Sequence, residues 1–295
     1  MTKPKKKNPQ TLRNLLVLLA LTVVLLAFVL IRSLPYMKVL PWDEDPDHLA
    51  RPTEPMEAPT EPPVPVYIPE PEANPYGRND FQFEGRYLKN LRCDSIPGVD
   101  VSAYQGDINW NQVAVSGIKF AMIRVGYRGY GTGKIVEDAY ARENLRDALH
   151  AGLEVGVYFF SQALNEEEVQ EEIDFILDII KDYEITMPVV FDWERIRGEQ
   201  SRSNEMDART LTDCAKTFLE TIELAGYDAM VYFNPHQSRN LFYLAELKDY
   251  DFWLASYTDR MDFPYKVDMW QYTEKGRIPG IETDCDFNVY FPSYG

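Results

Sequence analysis

From Pro97 to the C-terminus, short runs rich in β-branched and aromatic residues alternate with longer stretches whose apolar residues recur every three or four positions. The runs Val99–Ser102, Phe120–Tyr127, Glu154–Gln162, Pro188–Asp192, Ala229–Asn234, Phe252–Tyr257, Asp268–Tyr272 and Asp286–Phe291 have the length and composition of strands. Three intervening stretches predict helices, over Asp138–Ala151, Asn165–Tyr183 and Asp207–Ala225. In the second, Val169, Ile173, Ile176, Leu177 and Ile180 form a stripe for burial, and Glu166–Glu168 with Glu171 and Glu172 fall outside it as a solvated acidic face. Gly152 and Gly226 each stand between a helix and the next strand, the position of a C-terminal cap. Eight strands in this length, alternating with helices, predict an α/β barrel. Shorter connections between the later strands predict fewer helices in its C-terminal part.

The first third of the chain has a different pattern. Lys3, Lys5, Lys6, Lys7 and Arg13 precede an uncharged apolar run from Leu15 to Ile31, closed by Arg32. That run has no polar face and is about the length that spans a bilayer as one helix, with the basic cluster kept in the cytoplasm. A cleaved signal peptide also begins this way, but no small-x-small cleavage site follows Ile31. Residues 1–33 are therefore expected to form a cytoplasmic tail and a single transmembrane signal anchor, which places the rest of the chain outside the cell. Residues 34–77 are rich in Pro and Glu and predict a stiffened extended spacer, because such a segment buries too little apolar surface to offset its ordering entropy. Residues 78–295 are left as the globular domain.

Composition narrows the chemistry. The net charge of −17 argues against nucleic acid, whose binding needs clustered Lys and Arg. Three cysteines are too few for a disulfide-stapled module. In an exterior compartment Cys93 with Cys285 is the candidate disulfide, and free buried thiols are the alternative. The three histidines, His48, His150 and His236, are scattered and cannot make a multi-histidine zinc site. A Gly-x-Ser-x-Gly elbow and a phosphate-binding Gly-x-x-x-x-Gly-Lys loop are both missing from the sequence. Carboxylate chemistry remains, and no metal or organic cofactor is implied.

The acids have a pattern of their own. Met187-Pro-Val-Val-Phe-Asp-Trp-Glu194 is an apolar strand that ends in two carboxylates one residue apart. Alternate strand side chains share a face, so Asp192 and Glu194 point the same way with Cα atoms about 6.6 Å apart. Barrels of this kind carry their chemistry at the C-terminal ends of the strands. Applied here, that rule adds Asp100 from the first strand and Asp286 from the last, which are neighbours in a closed barrel. Tyr104, Gln105, Tyr127, Tyr158, Tyr232, Asn234, Tyr257, Trp270 and Gln271 gather at the same strand ends. Flat rings beside amides suit a sugar, which presents C–H faces and hydroxyl edges.

Several segments resemble the glycoside hydrolase family 25 lysozymes: Gly98-Val-Asp-Val-Ser-Ala-Tyr-Gln-Gly106 with Ile108-Asn-Trp110, Phe120–Tyr127, Phe191-Asp-Trp-Glu194, Trp270-Gln-Tyr-Thr273 and Asp286-Phe-Asn288. The likeness keeps the motif order from about Pro97 to the C-terminus and leaves the anchor and spacer uncovered. It implies a modified TIM-like (β/α) barrel and a muramidase that hydrolyses the β-1,4 bond between N-acetylmuramic acid and N-acetylglucosamine in peptidoglycan glycan strands. By position it makes Glu194 the general acid, Asp192 its partner carboxylate, and Asp100 and Asp286 two further acids of the cleft. Such acids can act by retention, by a substrate-assisted route or by inversion, which differ in carboxyl spacing. A non-catalytic peptidoglycan-binding module and a hydrolase of another N-acetylated glycan are the alternative functions, and protein partners are not legible.

Overall fold

A computed structural model describes residues 68–198 and 200–292. The expected anchor and most of the spacer lie outside the described residues. Among the described residues no helix is long and apolar enough to cross a membrane.

The elements run in the order β1 (Phe81–Glu84), β2 (Tyr87–Asn90), β3 (Ile96–Val101), α1 (Trp110–Val115), β4 (Phe120–Arg128), β5 (Ile135–Glu137), α2 (Ala141–His150), β6 (Glu154–Ser161), α3 (Glu166–Ile180), β7 (Val189–Trp193), α4 (Ala208–Leu224), β8 (Ala229–Phe233), α5 (Pro235–Asn240), β9 (Asp251–Ala255), β10 (Met269–Gly276) and β11 (Cys285–Tyr290). The strands β3, β4, β6, β7, β8, β9, β10 and β11 form a closed eight-stranded barrel in which β3 pairs with both β4 and β11. Seven run parallel, and β11 is antiparallel to both of its neighbours. The expected barrel is thus present, and so is its imbalance. The three long helices follow β4, β6 and β7, whereas α5 has six residues and later connections lack an α-helix.

Strand alternation sorts the barrel wall into two faces. Inward residues Phe120, Met122, Val190, Met230, Trp253 and Met269 fill the interior as one cluster. Their outward neighbours, among them Ala121, Ile123, Phe191, Val231, Leu254 and Trp270, join the larger core beneath the helices. Gly98 has no side chain because a Cβ there would collide with the Phe120 ring that plugs the barrel. On β4 the ladder to β6 slips between Arg124 and Gly126, so one extra residue turns Tyr127 back toward the barrel mouth.

The helices bury the expected stripes and carry caps. Asn165 accepts from the Glu168 amide at the start of α3, where three glutamates also complement the helix dipole. Gly152 and Gly226 follow their helices at φ +80° and +91°, the left-handed turn expected there. One residue departs from the expected acidic face. Glu172 is fully buried and accepts from Arg128 Nε at 2.7 Å, because position 172 lies one turn beyond Val169 on the same face.

Part of the stretch assigned to the spacer is laid against the barrel. Ala73 bridges to Tyr265, Asn74 bonds to the carbonyls of Pro264 and Phe263, and Tyr76 packs on Phe81 and Phe291. The cysteines Cys93, Cys214 and Cys285 are all free thiols, and Cys93 is satisfied by the Tyr76 hydroxyl at 3.1 Å.

Candidate active site

Side chains at the open end of the barrel surround a cavity of about 810 Å³. Asp100, Asp192, Glu194 and Asp286 all line it, so the structure brings the four expected acids together. Three come from the C-terminal ends of parallel strands or just beyond. Asp286 reaches the same mouth from the N-terminal end of β11, because that strand runs the opposite way and pairs Asp286 with Asp100. The rule of strand C-terminal ends therefore located Asp286 correctly for the wrong geometric reason.

Asp100 is the best-held of the four. Its Oδ2 accepts from Gln271 Nε2 at 2.8 Å and from Asn288 Nδ2 at 2.7 Å. Each amide is fixed in turn: Gln271 Oε1 accepts from the hydroxyls of Tyr232 and Tyr257 at 3.0 and 3.1 Å, and Asn288 Oδ1 accepts from Trp253 Nε1 at 2.9 Å. Both amide orientations follow from these partners. Burial raises the proton affinity of Asp100, and the bonds from Asn288, Gln271 and Asp286 oppose it.

Asp286 is pushed up to about 9 by burial, by the charge of Asp100 and by its own hydrogen bond to that carboxylate. It keeps its proton at neutral pH and donates it to Asp100, as expected when two carboxyls share a dry site. Asp192 is also raised well above the usual carboxylate range, by burial first and then by Glu194 and Asp100, with Arg124 opposing. Its Oδ1 is buried without a hydrogen-bond partner among the described residues. Glu194 is raised by burial and by Asp100, against a pull from Arg197. Backbone clamps set its place: Gln162 Nε2 donates to the Glu194 carbonyl, and Gln237 Nε2 donates to that of Trp193. Gln162 is itself held by the hydroxyls of Ser201 and Ser203.

Tyr104, Gln105, Tyr127, Tyr158, Tyr232, Tyr257 and Gln271 line the cavity as expected. Asn234 and Trp270 do not. Asn234 caps α5 by accepting from the amides of His236 and Gln237. Trp270 sits between inward Met269 and Gln271, so it points out of the barrel, where it packs edge-on against Phe81 and donates to the Ser256 carbonyl. The sequence reading missed Arg124, Trp253 and Asn288. Arg124 lies over the rings of Tyr104 and Tyr127, pairs with buried Asp138 at 2.8 Å and lines the cavity. Asn288 was readable by period two, one step along β11 from Asp286. A separate hollow of about 830 Å³ beside α1 holds His150 but none of the barrel acids.

Comparison with known proteins gives the chain a family and the barrel its structural neighbours. The model of glycosyl hydrolases family 25 matches residues 99–281. The uncharacterized protein YegX of Escherichia coli K12 is 28% identical over 210 residues, covering 66% of this chain and 70% of its own. Among solved structures, the modular autolysin LytC of Streptococcus pneumoniae, in complex with a synthetic peptidoglycan ligand, superposes with a TM-score of 0.59 at 24% identity. That match covers 67% of this chain and 47% of the autolysin, so the chain spans about half the autolysin's length. A family 25 glycosyl hydrolase of Bacillus anthracis gives a TM-score of 0.57 at 23% identity, over 72% of this chain and 95% of that one. A lysozyme of Streptomyces coelicolor gives 0.53 at 21%, over 68% and 94%.

Proposed function

The chain belongs to the glycosyl hydrolases of family 25, and from that premise we propose that it is a muramidase that cleaves the β-1,4 bond between N-acetylmuramic acid and N-acetylglucosamine in peptidoglycan. The observation that carries this reading is the convergence of Asp100, Asp192, Glu194 and Asp286 with a wall of tyrosines on one cavity. A sugar-binding module would have no use for four acids that converge on one cavity, where Asp100 raises the proton affinity of the other three.

Glu194 acts as the general acid. Burial and the charge of Asp100 favour its protonated form, so it can give its proton to the leaving glycosidic oxygen as the C1–O bond breaks. Asp192 works beside it. Its unpartnered Oδ1 is free to accept the N–H of the substrate's acetamido group, which orients the acetamido oxygen toward C1. Attack by that oxygen gives a cyclised intermediate, and water activated by the now ionised Glu194 opens it with retention. Inversion would need Asp100 or Asp286 as a base. Burial and the charge of Asp100 favour the protonated form of Asp286, and Asp100 Oδ2 already accepts from two amides, which favours the substrate-assisted route. The tyrosines offer ring faces to the glycan, and Arg124 opposes the rise in proton affinity at Asp192.

We also place this barrel outside the cell, tethered through the apolar run Leu15–Ile31 for local wall remodelling, on the sequence pattern alone. A soluble form released into the medium as the major species would count against the tether. For the activity, purified full-length chain and Glu194→Gln are incubated with peptidoglycan and the reducing ends identified. Fragments ending in reducing N-acetylmuramic acid, absent with the variant, are the expected result. A folded wild type that binds glycan without cleaving it would replace the enzyme with a binding module, and an inverted anomer would replace the substrate-assisted route.

A further inference from the structure

The β1–β2 hairpin precedes residues 99–281, where the family model matches, and adds a wall that the barrel strands do not supply. It is seated on β10 and the loop after it. The Leu88 amide donates to the Tyr272 hydroxyl, Phe83 meets the Tyr272 ring edge-on at 6.1 Å, and Arg86 Nη1 donates to the Arg277 carbonyl at 2.9 Å. Between this hairpin and the segments that follow β9 and end β10 lies a groove of about 560 Å³. Tyr257 and Glu274 line both this groove and the catalytic cavity, so the two adjoin.

The groove has two kinds of lining. Phe83 and Tyr257 are each 53% exposed and offer apolar ring surface. Arg86 and Lys275 are exposed and form no ion pair among the described residues, a state shared with Lys119, Lys134, Arg195, Arg197 and Arg239, and both line this groove. Of the other charges there, Arg277 is engaged by Asp284 at 2.8 Å and Asp259 lies 3.7 Å from Arg260, which leaves Glu274 as the opposing acid. A neutral sugar would gain little from the two cations. An anionic peptide of small residues would supply carboxylates to Arg86 and Lys275 and methyl groups to Phe83 and Tyr257.

We propose that this groove holds the stem peptide of the glycan strand being cleaved, so that the hairpin makes the enzyme prefer peptide-bearing over bare glycan. The inference rests on the muramidase reading, since only that substrate carries an acidic peptide beside the scissile bond. Neither Arg86 nor Lys275 lines the catalytic cavity, so the chemistry itself is spared when both are removed.

The test compares full-length wild type with the double variant Arg86→Ala/Lys275→Ala on two substrates, intact peptidoglycan and the same glycan stripped of its peptides by an amidase. The expected result is a loss of roughly fivefold to tenfold in kcat/KM on intact peptidoglycan, carried by KM. Stripped glycan should be cleaved at the wild-type rate, and the thermal midpoint should fall only by the small amount that losing the exposed Arg86–Arg277 carbonyl bond entails. Equal losses on both substrates would assign the groove to the glycan, and no loss on either would leave it without a role; both overturn the proposal. If the wild type cleaves neither substrate, the muramidase reading fails. The groove is then decided by calorimetric titration with the amidase-released stem peptide: binding to wild type alone supports a peptide site, and its absence removes one.

Discussion

The floor and the mouth of the barrel are built from the same strands and the same inward positions, yet they do opposite things. Low on the strands, Phe120, Met122, Met230 and Met269 pack into a dry plug with no polar group. One or two inward steps further along, the positions are Arg124, Tyr232, Gln271 and, on neighbouring strands, Asp100 and Asp192. Facing inward is therefore not what marks a catalytic residue; height along the strand is. The plug also gives the acids their character. By closing the barrel below them it denies them water from that side, and burial is the first cause of the raised proton affinity at Asp100, Asp192, Glu194 and Asp286.

The largest effect expected from this contrast is in the mouth. Glu194→Gln should lower kcat by about a thousandfold, within the usual range for loss of a general acid, with little change in thermal midpoint. The release of reducing ends measures the first and calorimetry the second. A variant that unfolds would place Glu194 with the floor.

A floor residue should behave in the reverse way. Met230 is fully buried in the plug, and Met230→Ala should destabilise the fold by about 2–5 kcal/mol through lost contacts and a cavity. Urea unfolding reads that loss, and activity per folded molecule should stay within about twofold. A large fall in kcat at unchanged stability would show that the plug tunes the acids more strongly than it supports the barrel.

Asp286 and Asp100 sharpen the contrast inside the mouth itself. Asp286 is the protonated partner and Asn can stand in for a protonated carboxyl, so Asp286→Asn should cost about tenfold in kcat/KM, against about a hundredfold for Asp100→Asn. The same shift sets a pH dependence. The pKa of Asp286 is raised on folding from 3.8 to about 9, so its contribution to stability is fully present below about pH 4 and is lost as pH rises toward 9. Asp286→Asn should therefore be more stable than wild type in alkaline solution, with a difference that grows from pH 4 to pH 9. Equal stability at pH 8.5 would mean that Asp286 is ionised and that Asp100 holds the proton.

These contrasts also explain what the amino-acid sequence made legible. Eight barrel strands and three long helices could be read because each spans enough residues for its period to show. The hairpin β1–β2, the three-residue β5 and the six-residue helices α1 and α5 are too short for that. The reversal of β11 was hidden because alternation looks the same in both directions, although the predicted strand already began at Asp286, where a rule about C-terminal ends does not apply. Trp270 and Gln271 were both taken for the site although adjacent strand residues must face opposite ways. That error was avoidable from period two alone, and the same rule carried from Phe120 and Met122 leads to Arg124. Glu172 was hidden for another reason: its partner Arg128 lies 44 positions away on a different element.

The smallest expected effect concerns Asn234, which period two carries inward from Met230 and Tyr232 and which nevertheless leaves the cavity. Beyond the end of β8 the strand rule no longer holds, and the side chain turns to cap α5 in a reciprocal arrangement with Gln237, whose own side chain accepts from the Asn234 amide at 2.8 Å. Because Gln237 also clamps the Trp193 carbonyl, the cap supports the mouth only through the backbone beside Glu194. Asn234→Ala should therefore lower stability by about 1 kcal/mol, the ordinary value of a lost N-cap, with KM for peptidoglycan unchanged. Chemical unfolding and steady-state kinetics on one preparation separate the two. A raised KM at full stability would return Asn234 to the glycan site and break the distinction between the mouth and the wall that carries it.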